Sequence, residues 1–189
     1  MLGIFLDSET SGLSSEKHAL LEIAYKIVDL KNGRVCESYE AIVYHPITVW
    51  QESDPDSLKV NGFTYEIIKD GKKIDVVQQE ILESFKRMKI SRESAVFICQ
   101  NPSFDRAFFS HLFPTELQET LNWPYHWLDL ASMFWGICLR DKKYPWKSGL
   151  SKDNIAQYLS LEKEASPHRA MNGVSHLLAC YRKLVGFPG

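Results

Sequence analysis

Four cysteines stand in 189 residues, and none pairs with another at the spacing of a CxxC element. That excludes a zinc ribbon and a thioredoxin-type redox motif. Cys36, Cys99, Cys138 and Cys180 therefore read as scattered reduced thiols, the usage expected of a cytoplasmic chain. The apolar start from Met1 to Leu6 gives way to Asp7, too short a run for the core of a signal peptide. No apolar run approaches the roughly 20 residues of a membrane span, so no membrane partner is expected. Charge of one sign is scarce as well. Lys and Arg number 22 against 24 Asp and Glu, a net charge of −2, which argues against coating duplex nucleic acid by bulk electrostatics. A local grip on a strand end stays open, because bound metal ions bring their own positive charge. No repeat, low-complexity tract or linker divides the chain, so residues 1–189 are expected to form a single domain with a sizeable core.

What is present is a succession of short apolar runs and amphipathic stretches. Gly3–Leu6 reads as a buried strand. Leu20–Leu30 and Val35–Tyr44 flank Asn32-Gly33, a hairpin signal. Pro46 to Gly62 is irregular, with Asp56 or Ser57 placed to cap a short helix ending near Gly62. Apolar residues at Val76, Val77, Ile81, Leu82 and Phe85 recur at helical spacing over Asp75–Met88, with Asp75 as the expected N-cap. Ala95–Cys99 suits a central strand. Pro102 suits the first turn of a helix reaching about Phe113. Trp127-Leu128 is a short strand before a helix that begins at Asp129. Lys142–Gly149 reads as a polar loop, and Ser151–Leu159 and Arg169–Leu184 as helices. This order gives an α/β layered domain, with helices packed over a mixed central sheet.

The residues that carry chemistry cluster around strand ends. Residues two apart on a strand share a face, so Asp7 and Glu9 point the same way. Adjacent carboxylates repel, and one takes up a proton unless a cation intervenes. Magnesium or manganese, which prefer hard oxygen ligands, would remove the conflict. A pair of solvated acids is the plainer reading of Asp-x-Glu alone. Asp105, just beyond the Ala95–Cys99 strand, lies where open α/β sheets place their sites, although an acid in a first helical turn also complements the helix dipole. His168 precedes the last helix, and histidine is the side chain best placed to take a proton from water near neutral pH.

Taken in order, these pieces resemble the DEDDh 3′–5′ exonucleases, the family of the proofreading subunit of bacterial DNA polymerase III, RNase T and oligoribonuclease. The family's Asp-x-Glu-Thr-x-Gly-Leu stands as Asp7-Ser8-Glu9-Thr10-Ser11-Gly12-Leu13. Its Asn-x-x-Phe-Asp stands as Asn101-Pro102-Ser103-Phe104-Asp105. Leu128-Asp129 matches an intermediate element, Asn61-Gly62-Phe63-Thr64 a segment before the covering helix, and His168 with Ala170 the start of the third motif. The resemblance spans nearly the whole chain. It implies an RNase H-like fold and two magnesium or manganese ions held by Asp7, Glu9 and Asp105, with His168 as the general base. It further implies single-stranded 3′ ends of DNA or RNA as substrate and nucleoside monophosphates as products. Many relatives dimerise, so a homodimer is a further implication, and a polymerase or another protein is a conceivable partner. By motif position, Thr10, Leu13, Phe63, Asn101 and Phe104 are the substrate-binding candidates. For Phe63 and Phe104, core packing is the competing reading. Arg140-Asp141-Lys142-Lys143, with Lys147 and Lys152, reads either as a backbone-guiding run or as a solvated loop.

One position departs from the pattern. Five residues after His168, where the family has aspartate, stands Gly173. Asn172 points away from the inward stripe of that helix and is neutral, so it is a poor substitute. The expectations are that the carboxylates of Asp7, Glu9 and Asp105 converge in one coordination sphere and that water fills the room left at Gly173. One metal position would then be weak or absent. Gly173→Asp would raise activity by at least about tenfold and steady the helix. A catalytically inactive relative that binds 3′ ends or a protein partner is the alternative that Gly173 favours.

Overall fold

Five strands rich in β-branched and aromatic residues pair into one mixed sheet. The computed structural model describes residues 1–189. In chain order, β1 (Leu2–Thr10), β2 (Leu20–Asp29) and β3 (Arg34–Ile42) form a meander. It is followed by three short helices, α1 (Ile47–Trp50), α2 (Pro55–Asn61) and α3 (Tyr65–Ile68), and by the longer α4 (Ile74–Arg87). Then come β4 (Ala95–Cys99), α5 (Pro102–Leu112), α6 (Thr115–Thr120), β5 (Trp127–Asp129), α7 (Leu130–Arg140), α8 (Pro145–Ser148), α9 (Lys152–Tyr158) and α10 (Ala170–Leu184). The spatial order is β3-β2-β1-β4-β5. β1 is antiparallel to β2 and parallel to β4, and β5 continues the parallel half. The expected mixed sheet with helices packed on it is the observed fold, of the RNase H-like type.

Alternation along β1 decides which helices meet which residues. Ile4 and Leu6 join the core beneath α4 and α5, with Val77, Ile81, Phe85, Phe108 and Leu112. Phe5 joins the core beneath α7, α9 and α10, with Phe134, Ile155, Val174 and Leu177. Burying a Leu- or Phe-sized side chain contributes about 1.5–3 kcal/mol, so the two layers fix β1 as the central element.

Several boundaries differ from the sequence reading. β1 runs on to Thr10, so Asp7 and Glu9 lie within the strand, where pairing with Ala24 and Glu22 of β2 holds their backbone. The β2–β3 hairpin forms, but only Gly33 of the Asn-Gly pair takes a positive φ, of 74°. The connection is therefore four residues long, not a two-residue turn, and Gly33 N–H closes it onto Asp29 O at 2.8 Å. Asp54 caps α2 by accepting from Asp56 N–H, in place of Asp56 or Ser57. Lys73 occupies the N-cap of α4, leaving Asp75 to complement the dipole from the first turn. The Lys142–Gly149 stretch holds the short helix α8.

Candidate active site

Three separate elements converge above the ends of β1 and β4. The odd residues of β1 face α10, so Asp7 and Glu9 point into the layer that contains Gly173. The even residues face α5, and Ser8 donates its hydroxyl to Asp105 Oδ1 at 2.6 Å. Asp7, Ser8, Glu9, Phe104, Asp105 and His168 line one cleft of about 330 Å³, together with Gln100, Ser151, Lys152, Asp153 and Glu164. Asp105 and Glu9 are buried, at 3% and 9% exposure, and His168 is half-buried at the rim.

The second motif is held by its turn. Asn101 takes a left-handed φ of 56°, which asparagine tolerates better than most residues. Its N–H donates to Asp129 Oδ1 at 3.0 Å, and its Oδ1 accepts from Ser103. Asp129 also caps α7 through Ala131 and Ser132 N–H, so one carboxylate aligns the starts of α5 and α7. A clamp holds the segment around His168. Asn61 is buried, donating to Thr10 O at 3.0 Å and accepting from Phe63 N–H at 3.2 Å. The guanidinium of Arg169 donates to Asn61 O and lies 4.2 Å from the centroid of Phe63. His168 N–H reaches Val60 O at 3.3 Å. Glu22 then accepts from Ala170 N–H at 2.7 Å, fixing the first turn of α10.

The substrate-binding candidates thus separate. Phe104 lines the cleft, and Leu13 is 77% exposed but outside the lining. Thr10 is buried, with its hydroxyl on Gly12 O at 2.8 Å. Asn101 shapes the α5 turn. Phe63, 3% exposed, packs with Leu21 and Ile68 beneath Arg169. Its ring is not available for stacking on a base.

Lys152 was legible only as part of a basic run, and Glu164 was not legible as a site residue. Lys152 stands at the first position of α9, and its ammonium turns inward. It reaches Glu164 Oε2 at 2.8 Å and Asp7 Oδ1 at 3.3 Å, with its side chain only 13% exposed. It is therefore not part of a solvated backbone-guiding run. Glu164 is held by its N–H on Asp153 Oδ1 at 3.0 Å. Its side chain is 3% exposed and its Oε1 has no partner. No motif marked either residue for this place beside Asp7.

Electrostatics follow from this crowding. Burial raises Asp7 to about 6, partly opposed by Lys152, with Glu164 adding to the rise. Burial raises Glu9 to about 8, aided by the charges of Asp7 and Glu164. Burial also pushes Asp105 well above the usual carboxylate range, with Asp7 adding to it and the Ser8 hydroxyl opposing it. For Lys152 burial acts downward, but Asp7 and Glu164 outweigh it and the net shift is upward.

Asp7, Glu9 and Asp105 line one cleft but do not form a ready-made cage. No three His, Cys, Asp or Glu side chains are arranged to hold a metal ion. The physical reason lies at Gly173. A Cβ built there would overlap Asp7 Oδ2, 2.6 Å from Asp7 Cγ and 2.9 Å from Lys152 Nζ. The space of the missing side chain is thus filled by the Asp7 carboxylate, turned toward Lys152, and does not form a gap for water. The donor set itself, five carboxylates lining one cleft, suits a hard divalent cation. The ammonium among them is what a pair of such ions does not fit.

Comparison with known proteins agrees with this architecture. The RNase T exonuclease family model matches residues 4–180. The chain belongs to this DEDDh-type exonuclease family. Among solved structures, Escherichia coli exonuclease I in complex with a dT13 oligonucleotide superposes with a TM-score of 0.78 at 18% identity, over 97% of this chain and 40% of that one. A product-bound exonuclease I gives 0.77 at 15% identity, over 98% of this chain and 43% of that one. Cell-death related nuclease 4 gives 0.74 at 14%, over 99% and 65%. At these identities the likeness concerns the fold. The chain spans about 40% of the exonuclease I chain in the dT13 complex. No curated protein sequence matches significantly. No helix is long and apolar enough to cross a membrane.

Proposed function

We propose that residues 1–189 form one exonuclease domain that takes the 3′ end of a single strand of DNA or RNA into the Asp7–Glu9–Asp105 cleft. There it hydrolyses the terminal phosphodiester and releases nucleoside monophosphates. The observation that carries this reading is the meeting, in one open cleft, of acids from β1 and α5 with a half-buried histidine from the segment before α10. Family membership supports the reaction class. The oligonucleotides bound by exonuclease I support a single-stranded substrate.

Glu9 and Asp105 are the residues that would hold magnesium or manganese, with Asp7 kept on the ammonium of Lys152. Such an ion, when bound, supplies positive charge to the phosphoryl oxygens and lowers the pKa of water. The chain's own residues do the rest. His168 accepts the proton of the attacking water, whose oxygen bonds to phosphorus while the bond to the 3′ oxygen breaks and that oxygen takes up a proton. Ser8 fixes the rotamer of Asp105, and Glu22 and Arg169 hold His168 at the rim. Phe104 offers a face to the terminal base, where stacking contributes about 1–3 kcal/mol. The four thiols, free and mostly buried, suit a cytoplasmic setting.

The test is a 5′-labelled single-stranded oligonucleotide incubated with magnesium or manganese. A ladder shortening from the 3′ end, lost in Asp105→Ala, is expected. The second reading, a domain that binds 3′ ends without cutting them, is favoured by the Lys152 contact. Retained binding with no ladder at any manganese concentration would select it and overturn the first.

A further inference from the structure

We infer that Lys152 is a tethered cation of this cleft, standing in for one of the two divalent ions that the four-carboxylate pattern would otherwise hold. The cleft thereby takes no more than one divalent ion. The inference rests on the reading of the cleft as the nuclease site.

Three independent observations meet at one point. The first is spatial: the volume of a side chain at 173 is already occupied, since a Cβ there would overlap Asp7 Oδ2 and lie 2.9 Å from Lys152 Nζ. Glycine at 173 and lysine at 152 are therefore two halves of one arrangement. With any larger residue on α10, Asp7 could not turn this way and the ammonium would lose its nearest space. The second is chemical: the ammonium sits between two carboxylates, at 2.8 Å from Glu164 and 3.3 Å from Asp7, with all three side chains at most 15% exposed. A charge so withdrawn from water is costly unless paired, and this one is paired twice, as a metal ion between bridging acids would be. The third is the remaining acid. Glu164 keeps one buried oxygen without a partner, so the cluster still holds acceptor capacity that one ammonium does not satisfy. Glu164 thus restores in the cleft the negative charge that position 173 lacks, and Lys152 neutralises part of it without an exchangeable ion.

The consequence is an asymmetric site. Asp7 is committed to the lysine, whereas Glu9 and Asp105 make no ion pair and are the acids left for a single cation. The lysine cannot dissociate, so one side of the cleft keeps its positive charge at any metal concentration.

The experiment counts ions and does not rely on turnover. The full chain is stripped with EDTA and titrated with manganese, free ion being read by electron paramagnetic resonance. An ion lost in Asp105→Asn is assigned to the cleft. The unmodified protein should take up at most one. Lys152→Met should tighten manganese at least about tenfold, since a charge within about 4–6 Å shifts a protonation constant by one to three powers of ten. Lys152→Met combined with Gly173→Asp should take up two. Two ions of comparable affinity in the unmodified protein would overturn the inference, as would unchanged manganese affinity in Lys152→Met. Should Lys152→Met not fold, Lys152→Gln serves, and the count in the unmodified chain decides alone. Failure of the nuclease reading looks different: no variant degrades a single strand, while the manganese counts still follow Lys152.

Discussion

Substituting alanine for each of two helical glycines should move stability in opposite directions. Gly136 lies exposed in α7, and a Cβ built there meets nothing within 4 Å. Alanine in a helix interior is favoured over glycine by about 1 kcal/mol, so Gly136→Ala should gain about that amount. Gly173 lies in α10 and receives the same helical gain, but its Cβ would occupy the space of the Asp7 carboxylate and press on Lys152. Asp7 is held on a paired strand and has two side-chain torsions, so relief requires it to leave the ammonium. Overpacking costs about 1–3 kcal/mol, and a hydrogen bond to a charged group contributes about 1.5–3 kcal/mol. Taking both costs near their lower ends and subtracting the helical gain, Gly173→Ala should lose about 2 kcal/mol. For a chain of this length each kcal/mol shifts Tm by about 2–4 °C. Differential scanning calorimetry in EDTA should therefore show Gly136→Ala melting about 2–4 °C higher and Gly173→Ala about 4–8 °C lower than the unmodified protein. If both variants rise together, the space at Gly173 is open and the Asp7–Lys152 arrangement is wrong.

Other expectations follow from the same contacts. Asp7 and Glu9 have folded pKa values raised to about 6 and about 8, so the folded state binds their protons more tightly than the unfolded chain. That stabilisation is complete below about pH 4 and is lost as pH rises through 6 and then 8. The metal-free protein should melt several degrees lower at pH 8.5 than at pH 5, with manganese narrowing the gap. A Tm that rises over that interval would contradict the burial of these acids. His168→Ala should lower turnover by about 10²–10⁴-fold with 3′-end binding retained in a filter assay, because the imidazole makes no hydrogen bond that supports the fold; lost binding would assign it to positioning instead. Asn61→Ala removes a buried donor and acceptor that tie the Phe63 segment to β1. It should cost about 2 kcal/mol, seen as a Tm fall of about 4–8 °C, and an unchanged Tm would remove that clamp from the account.

The sheet, its hairpin and the α/β layering were readable because hydrophobic period and turn residues act locally. Leu20–Asp29, Ala95–Cys99 and the α5 start at Pro102 lie where pattern and punctuation put them. The ends were less readable, because tertiary contacts set them. β1 extends to Thr10 through pairing with β2, and Lys73 caps α4 although Asp75 is the better capping residue. Asp7, Glu9, Asp105, Phe104 and His168 line one cleft, whereas Asn101, Thr10 and Phe63 lie outside its lining. That Lys152 and Glu164 reach Asp7 was invisible for a physical reason. They are 12 residues apart on α9 and the loop beyond it, and only the turn between α9 and α10 brings them onto Asp7. Gly173 was readable as a missing acid but not as a filled position, since filling depends on a rotamer of a residue 166 positions away.

The alternation of β1 explains why the change at 173 reaches one side of the cleft first. Asp7 and Glu9 face α10, whereas Ser8, one residue between them, faces α5 and holds Asp105. The absence of a side chain at Gly173 therefore bears directly on Asp7, the residue opposite it, whose carboxylate occupies that volume. Asp105 keeps its position, because its partner is on the other face of the strand and the Asn101 turn is fixed independently by Asp129, although it still feels the Asp7 charge. Glu9 stays on the α10 face but lies one pleat nearer the cleft mouth, beside the Glu22 that caps the start of α10. Gly173 and Lys152 thus both act on the Asp7 side of the cleft. The Glu9, Asp105 and His168 side is the one left for the proposed hydrolysis.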